Sequence, residues 1–513
     1  MRADIIKVAP FNFISILDVY MSKGVNQHST ANVKGVIEDD AEYDYLVLPR
    51  LETTVEISSS DIFGNECVLF HGILDKLKVS TSNGLKIMEL QLVSKSMLLD
   101  IETRVMAFQD TEMTYDELVK AVLSPHDDAH ALINCGQGER LNQMFVQYHE
   151  TDWTFLVRMA SMHNDVLAVN DVLPGTLLYF GFQRRTISPA EQITPISYHI
   201  KKSIGRFIYK KENRVPNASE SDEEQIIVRD RVIRNVGDPV EFLGRRLWVY
   251  KAESAMDGTE LVHTYTLMNE AGIKVTQMRN YNIIGASLSG QVGAVAGTHV
   301  RMILDNAHSN NLDDIKWHLL STVFSSPSGI GFYTPPAIGD TMRLYYPTEI
   351  EDAGYVVSAV HTSSTQPVMP TAQALISNNQ DPTPDASLSI QGNDSDSSGS
   401  DMSHSLEEGR EPSRKIFENN SGQRITLAQG FLSLSSMVEK ADGSGNEFQS
   451  LSLTDGLGVV IVSSQYVSLS AEENVTLVSL EGNVLINAEE DAVISQKNSA
   501  VKLGGGVVKN TAP

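Results

Sequence analysis

The sequence has 513 residues, 41% hydrophobic and 20% charged, an ordinary globular balance that at this length suggests three or four domains. Forty Lys and Arg stand against 65 Asp and Glu, a net charge of −25. Such a surface repels phosphate backbones and anionic lipid and argues against nonspecific nucleic-acid binding. Two cysteines, Cys67 and Cys135, are too few for a disulfide framework or a four-cysteine zinc site.

At the N-terminus Arg2 and Lys7 accompany an apolar stretch, but Pro10, Asn12 and Asp18 interrupt it and no small-residue cleavage site follows, which argues against a signal peptide. Nowhere do about 18 apolar residues run together, the length a transmembrane helix needs. Residues 1–280 read mainly as strands with a few helices. Thr54-Val55-Glu56-Ile57 and Lys86-Ile87-Met88-Glu89-Leu90-Gln91-Leu92 alternate with period two, as half-buried strands do. Thr114-Tyr115-Asp116-Glu117 is a capping box, with Leu118, Val119, Val122 and Leu123 behind it, and predicts a helix. A second helix is expected after Glu150-Thr151-Asp152, because Trp153, Leu156, Val157 and Ala160 fall on one face.

Residues 281–362 change texture. Gly285, Gly290, Gly293 and Gly297 punctuate short alternating runs, Pro327 to Phe332 and Pro335 to Asp340 break the middle, and Thr341 to Tyr346 and Tyr355 to Val360 close the segment. About five short strands in so little chain predict a small barrel. Residues 363–410 lose hydrophobic content, and Gly392 to Asp401 form a polar, low-complexity linker that cannot bury enough surface to fold.

The tail, residues 411–513, carries a repeat. Apolar-x-apolar triplets at Val467/Leu469, Val475/Leu477, Val484/Ile486, Ala492/Ile494 and Val501/Leu503 start 8 or 9 residues apart, with acidic turns between them. A strand this short cannot bury its apolar face alone, and a single chain winding on itself would complete little more than two coils. Three chains winding together would close the interior at each level, so the repeat predicts an intertwined homotrimeric β-helix or β-prism with those ten residues as its core. An ordinary meander of short hairpins is the alternative.

Candidate chemistry is sparse. Asp394-Ser395-Asp396-Ser397-Ser398-Gly399 opens like a calcium loop, but Ser405 stands where a bidentate Glu is needed. His126 and His130 have helical metal-ligand spacing, yet Pro125 predicts a loop and no Glu follows the first His. Nucleophile elbows, phosphate loops and dinucleotide fingerprints are absent from the sequence. No catalytic, cofactor or metal residue is assigned, and the chain is expected not to be an enzyme.

Three stretches resemble the VgrG-type spike proteins of contractile injection systems and the hub and spike proteins of contractile phage tails, late control protein D among them. Val146 to Ala160 is similar to that family's Q-x-x-E-[ST]-D-x-x-F-L-x-R helix, through Glu150, Thr151, Asp152, Trp153, Phe155, Leu156 and Arg158. Trp317, Gly329, Gly331, Pro336, Gly339 and Asp340 are similar to landmarks of its OB-type barrel, and Phe417 to Leu427 resembles the entry to its β-prism. The resemblance implies a mainly β protein: an N-terminal hub of two barrel-like subdomains with helical insertions (1–280), a central OB-fold barrel (281–362), the linker (363–410) and a needle (411–513). It implies a homotrimer made in the cytoplasm and assembled into a phage tail-like particle. Tail tube and baseplate proteins would meet its N-terminal side, and a separate PAAR-like tip protein and effector cargo its C-terminal side. The spike would contact the target envelope on firing, without nucleic acid and without a cofactor. The last histidine is His404, so a histidine-bound metal at the tip is not expected. No fused effector is expected after Gly504 to Pro513, and the linker stands where some phage spikes carry a lysozyme domain. A carbohydrate-active or carbohydrate-binding β-helix protein, tailspike-like, is the alternative function.

Overall fold

The computed structural model describes residues 6–38, 45, 47, 53–60, 66–183, 191–308, 311–323, 335–358, 415–418, 423–439, 446–482, 484–486, 492–496 and 499–503. The chain divides into two compact units, Met1–Val368 and Met369–Pro513. It is mainly β with few helices.

The first unit begins with β1 (Ile6–Ala9), β2 (Ser15–Gly24), β3 (Thr30–Ile37), β4 (Thr54–Ser60), β5 (Glu66–Ser82) and β6 (Leu85–Val93), paired in the order β1-β4-β5-β6-β3-β2. Alternation sets the inner face: Ala31, Val33 and Ile37 of β3 are buried while Thr30, Asn32 and Lys34 face water. With Val19, Val55, Ile57, Phe70, Met88 and Leu90 they form the core of a barrel-like lobe. Gly35 lies where a Cβ would come within 2.5 Å of the Phe13 ring, so the close crossing there requires glycine.

A helical insert follows. β7 (Thr103–Phe108), β8 (Ala129–Ile133), β9 (Phe145–Thr151), β10 (Leu167–Asn170) and β11 (Thr176–Phe180) form two small sheets, β7 with β9 and β10-β11-β8. Helices α1 (Tyr115–Leu123) and α2 (Asp152–Met162) bury Leu118, Val122, Trp153, Phe155 and Leu156 in a common core. Both predicted helices are present, and α1 starts at its capping box.

The second lobe contains β12 (Glu191–Gln192), β13 (Ser197–Lys202), α3 (Ile204–Glu212), β14 (Glu224–Asp230), β15 (Pro239–Phe242), β16 (Arg245–Asp257) and β17 (Glu260–Met268), followed by a short helix, Glu270–Ile273. Its own core holds Ile226, Val228, Val240, Leu247, Val249 and Tyr265. Tyr20 to Gly24 of β2 pair antiparallel with Lys251 to Ala255 of β16, which fuses the lobes into one twelve-stranded sheet with β1 and β13 at its ends.

The third part is a barrel of β18 (Ser287–Ala296), β19 (His299–Leu304), β20 (His318–Leu319), β21 (Thr341–Tyr345) and β22 (Tyr355–Val357), in the order β20-β19-β18-β21-β22. A parallel bridge from Leu320 to Val356, with the Ser321 N–H donating to Val356 O at 2.8 Å, brings the two ends together. Five strands closing in this order make the Greek-key barrel of an OB fold. Val292, Val300, Met302, Leu344, Tyr346 and Val356 fill it.

The second unit holds an antiparallel meander of β23 (Lys415–Glu418), β24 (Gln423–Ala428), β25 (Phe431–Glu439), β26 (Asn446–Thr454) and β27 (Gly458–Ser463), and a hairpin of β28 (Ala492–Gln496) and β29 (Ser499–Leu503). Register places Phe417, Ile425, Leu434, Leu451 and Ile461 in one row across the meander, and Leu427, Leu432, Leu453 and Val459 in the next. Both rows lie on one face, and all but the half-buried Leu432 are exposed. The opposite face carries Thr426, Ser433, Ser435, Ser450 and Ser452, with the exposed Val460 and Val462 of β27 at its edge. Of the five predicted triplets, Ala492 to Ile494 and Val501 to Leu503 fall in the hairpin. Val467, Leu469, Val475, Leu477, Val484 and Ile486 are exposed and lie outside any strand. A strand exists only where another backbone pairs with it, and the single chain supplies none there. The predicted linker lies outside the described residues.

Candidate functional site

The motif around α2 forms a buried ionic joint. β9 runs straight into the helix, with Thr151 as N-cap: its Oγ1 accepts from Thr154 N–H at 3.1 Å and also meets the Asp100 carboxylate. Asp152, the first helical residue, is 2% exposed. It accepts from His126 Nε2–H at 2.7 Å and Gln147 Nε2–H at 2.8 Å, with Arg104 at 3.4 Å, and the helix N-terminus adds favourable charge.

Further along the helix, the Arg158 guanidinium is almost fully buried. Nε and Nη2 donate to the two oxygens of Glu150, both at 2.8 Å, and Nη2 also donates to Val146 O. Nη1 donates to Glu351 Oε1 at 2.8 Å. Glu351 sits in a 3-10 turn (Glu351–Ala353) between β21 and β22, so a single side chain ties the helical insert to the barrel. Burial works to depress the guanidinium pKa, but Glu150 and Glu351 outweigh it and hold the pKa above the ordinary value. The ring of Phe155 lies beneath Arg158 at 5.1 Å and stacks on Phe108. Trp153 packs on His28, 4.2 Å between ring centroids, and His28 bonds Ser96 and Asp100 of the first lobe. Burial lowers the His28 pKa, and Asp100 opposes that shift. Leu156 is fully buried in the insert's core. The seven motif residues therefore meet where first lobe, insert and barrel join.

The barrel residues lie elsewhere. Trp317 is half-buried under the Arg301 guanidinium, 4.6 Å from ring to carbon. Pro336, Gly339 and Asp340 make the turn into β21. Gly339 adopts a positive φ of 94°, and Asp340 Oδ2 caps the Ala337 N–H at 2.8 Å. Gly339 and Asp340 exchange backbone hydrogen bonds with Val292, which seats the turn on β18. Gly329 and Gly331 lie outside the described residues. His126 precedes β8 in a loop, as Pro125 predicts, and its Nε2 is committed to Asp152; His130 is exposed on β8.

Glu351, Arg104, His28 and Asp100 escaped the sequence reading. Nothing in Glu349-Ile350-Glu351-Asp352 marks the third residue as the buried one, and His28 sits 125 positions from its ring partner. Every carboxylate at the joint is spent on a cation, an amide or a cap, and the hydroxyl beside an imidazole there, Ser96 Oγ at 2.8 Å from His28 Nδ1, is buried and also bonds the Ser94 hydroxyl. This arrangement fastens parts together. Among the described residues, no group of three or more His, Cys, Asp or Glu is placed to hold a metal, and no helix is long and apolar enough to cross a membrane.

Residues 23–163, from the end of β2 to the end of α2, match the phage tail baseplate hub (GPD) family. No curated protein matches the sequence at a significant level. Among solved structures the chain is similar to the Francisella PdpA-VgrG complex in its half-lidded form, at 9% identity over 90% of this chain and 87% of that one, TM-score 0.50. It is also similar to an Escherichia coli type VI secretion component described as resembling T4 bacteriophage tail proteins gp27 and gp5, at 13% identity over 69% and 99%, TM-score 0.49. A Shewanella oneidensis prophage tail protein matches at 10% identity over 53% and 98%, TM-score 0.40. Residues 23–163 are thus similar to the phage tail baseplate hub family, and the chain has the fold of the VgrG-type spike proteins that its motifs resemble.

Proposed function

We propose that the chain is the non-enzymatic central hub and spike of a contractile injection apparatus, joining a tail tube and baseplate to a threefold needle that pierces the target envelope on sheath contraction. The observation that carries this reading is the bare apolar face of the second unit. Nine apolar residues stand in register across five strands with a serine-rich face behind them. At roughly half exposure each, they offer on the order of 700 Å² per chain, close to what each partner buries in a standard interface and more than a monomer normally leaves to water. Three copies turning these faces inward would make a closed prism, and the exposed triplets from Val467 to Ile486 would find their backbone partners in neighbouring chains. The hub domain match supports a baseplate position. Shared ladders with no free edge suit a part that transmits force along its axis.

On this reading the complex of a VgrG with PdpA suggests a loaded protein partner here as well, and a separate tip protein would complete the needle. Sedimentation tests the proposal. The wild-type chain is expected to run as three copies of 56.4 kDa, and Leu434→Asp/Leu451→Asp to shift the mass to a single chain. A wild-type monomer would overturn it.

A further inference from the structure

Strand β8 is an edge of the insert's small sheet: in the order β10-β11-β8, only β11 pairs with it among the described residues. The parallel register decides which backbone groups that pairing uses. Thr176 N–H donates to Asp128 O and Asn134 N–H donates to Phe180 O, so the even-numbered residues from Asp128 to Asn134 turn their amides and carbonyls toward β11. The odd-numbered residues turn theirs the other way. Ala129 N–H closes a turn onto His126 O. The carbonyl of Ala129 and both backbone groups of Ala131 and Ile133 are left in a row with no partner among the described residues. Strand backbone in this state is paired by water or by another chain.

That row borders a groove. Helix α1 packs against β8, and residues of both line a cavity of about 560 Å³, within the size range of ligand sites. Val119, Leu123 and Ile133 give it an apolar lining, and Lys120 and Asp127 stand exposed at it. The occupant follows from three features. Donors and acceptors repeating at strand spacing demand an extended backbone, which neither a helix nor a small ion supplies. The apolar lining takes side chains from alternate positions of such a backbone. Lys120 and Asp127 have no oppositely charged partner among the described residues, so each suits a residue of opposite charge on the incoming segment. We propose that the α1–β8 groove binds an extended peptide segment of another protein, which adds as a strand to the free edge of β8. Its alternate apolar side chains meet Val119, Leu123 and Ile133, with a basic residue against Asp127 and an acidic one against Lys120. The site lies within the insert and needs no second copy of this chain.

A displayed library of random ten-residue peptides, selected on the full-length protein, tests the site. Selected peptides should alternate apolar and polar residues. On binding one of them, the Ala131 and Ile133 amides should exchange about tenfold more slowly, while those of His130 and Leu132, already turned to β11, should not change. Ala131→Pro removes one outward N–H at an edge where proline is tolerated, and should weaken binding about tenfold with the melting temperature unchanged. Methylating the alternate set of peptide amides that faces β8 should weaken binding as much with the protein untouched, and methylating the other set should not. Peptides that bind the Ala131→Pro protein equally well, or whose binding ignores which set is methylated, overturn the proposal. So does a library from which no peptide is selected. Slowing of the Ala131 and Ile133 amides on self-association of the chain, with no peptide present, assigns the groove to a contact between copies and overturns it as well.

Discussion

At Arg158, three interactions of different reach depend on one guanidinium. Removing it leaves Glu351, with 4% side-chain exposure, as a buried and uncompensated carboxylate beside a half-freed Glu150. Breaking a buried pair from one side costs about 3–5 kcal/mol. Arg158→Ala should lower the denaturant midpoint accordingly, whereas Arg158→Ala/Glu351→Gln should recover part of the loss, because the stranded charge is gone. Equal stability of the two variants would mean that the joint carries no coupling. Arg158→Lys should not restore the wild type, since an ammonium cannot serve Glu150 in bidentate fashion and Glu351 together. His263 offers a pH test at the same scale. It lies on β17 opposite Ser254, whose Oγ meets Nδ1 at 2.7 Å, and burial pushes its pKa down to about 4. The unfolded chain therefore binds a proton near pH 6.5 that the folded chain refuses until about pH 4. Stability contributed by the neutral ring is complete above pH 6.5 and is lost as the pH falls toward 4, by about 3 kcal/mol at most. His263→Asn, which can keep the Ser254 contact, should flatten that part of the pH–stability curve; an unchanged slope between pH 6.5 and 4 would exclude His263 as its source.

Elements differ in how far the sequence announces them. Helix α1 is a local matter: Thr114 Oγ1 accepts from Glu117 N–H at 3.3 Å, and Glu117 Oε2 accepts back from Thr114 N–H at 2.8 Å. Thr114→Ala should cost about 1 kcal/mol, read by thermal or chemical unfolding, and Thr114→Ser should cost far less. Such a box is visible in four letters, and the period-two alternation of β4 and β6 is as plain. The strand order of the barrel and the fusion of the two lobes through β2 and β16 are not visible, because those fused strands lie about 230 positions apart and nothing in either one's composition names the other. The joint is half legible. Motif residues from Glu150 to Arg158 can be picked out together, while Glu351 arrives from the barrel by topology alone. In the second unit the Leu-Ser alternation of β25 and β26 is present to be read, and the register that assembles it into one apolar face follows from turns whose lengths decide which leucines stand opposite.

The whole molecule joins these scales through charge and assembly. Residues 381–513 hold 19 acids against 8 bases, so this part of the chain is strongly acidic while the apolar rows of its meander remain charge-free. An acidic chain with an uncharged apolar face favours association through apolar packing and resists indiscriminate aggregation. Association of this kind makes stability depend on protein concentration, since anything that binds only the folded chain stabilises it by mass action. For three folding chains, a tenfold rise in concentration adds about 0.9 kcal/mol per chain. Spread over the unfolding entropy of a unit the size of Met369–Pro513, that moves its melting temperature up by roughly 3 °C. Calorimetry at two concentrations should therefore show a transition that climbs with concentration, and Leu434→Asp/Leu451→Asp should abolish the climb. A melting temperature of the second unit that is the same at both concentrations would mean that its apolar face is covered within one chain, and the threefold needle would fall with it.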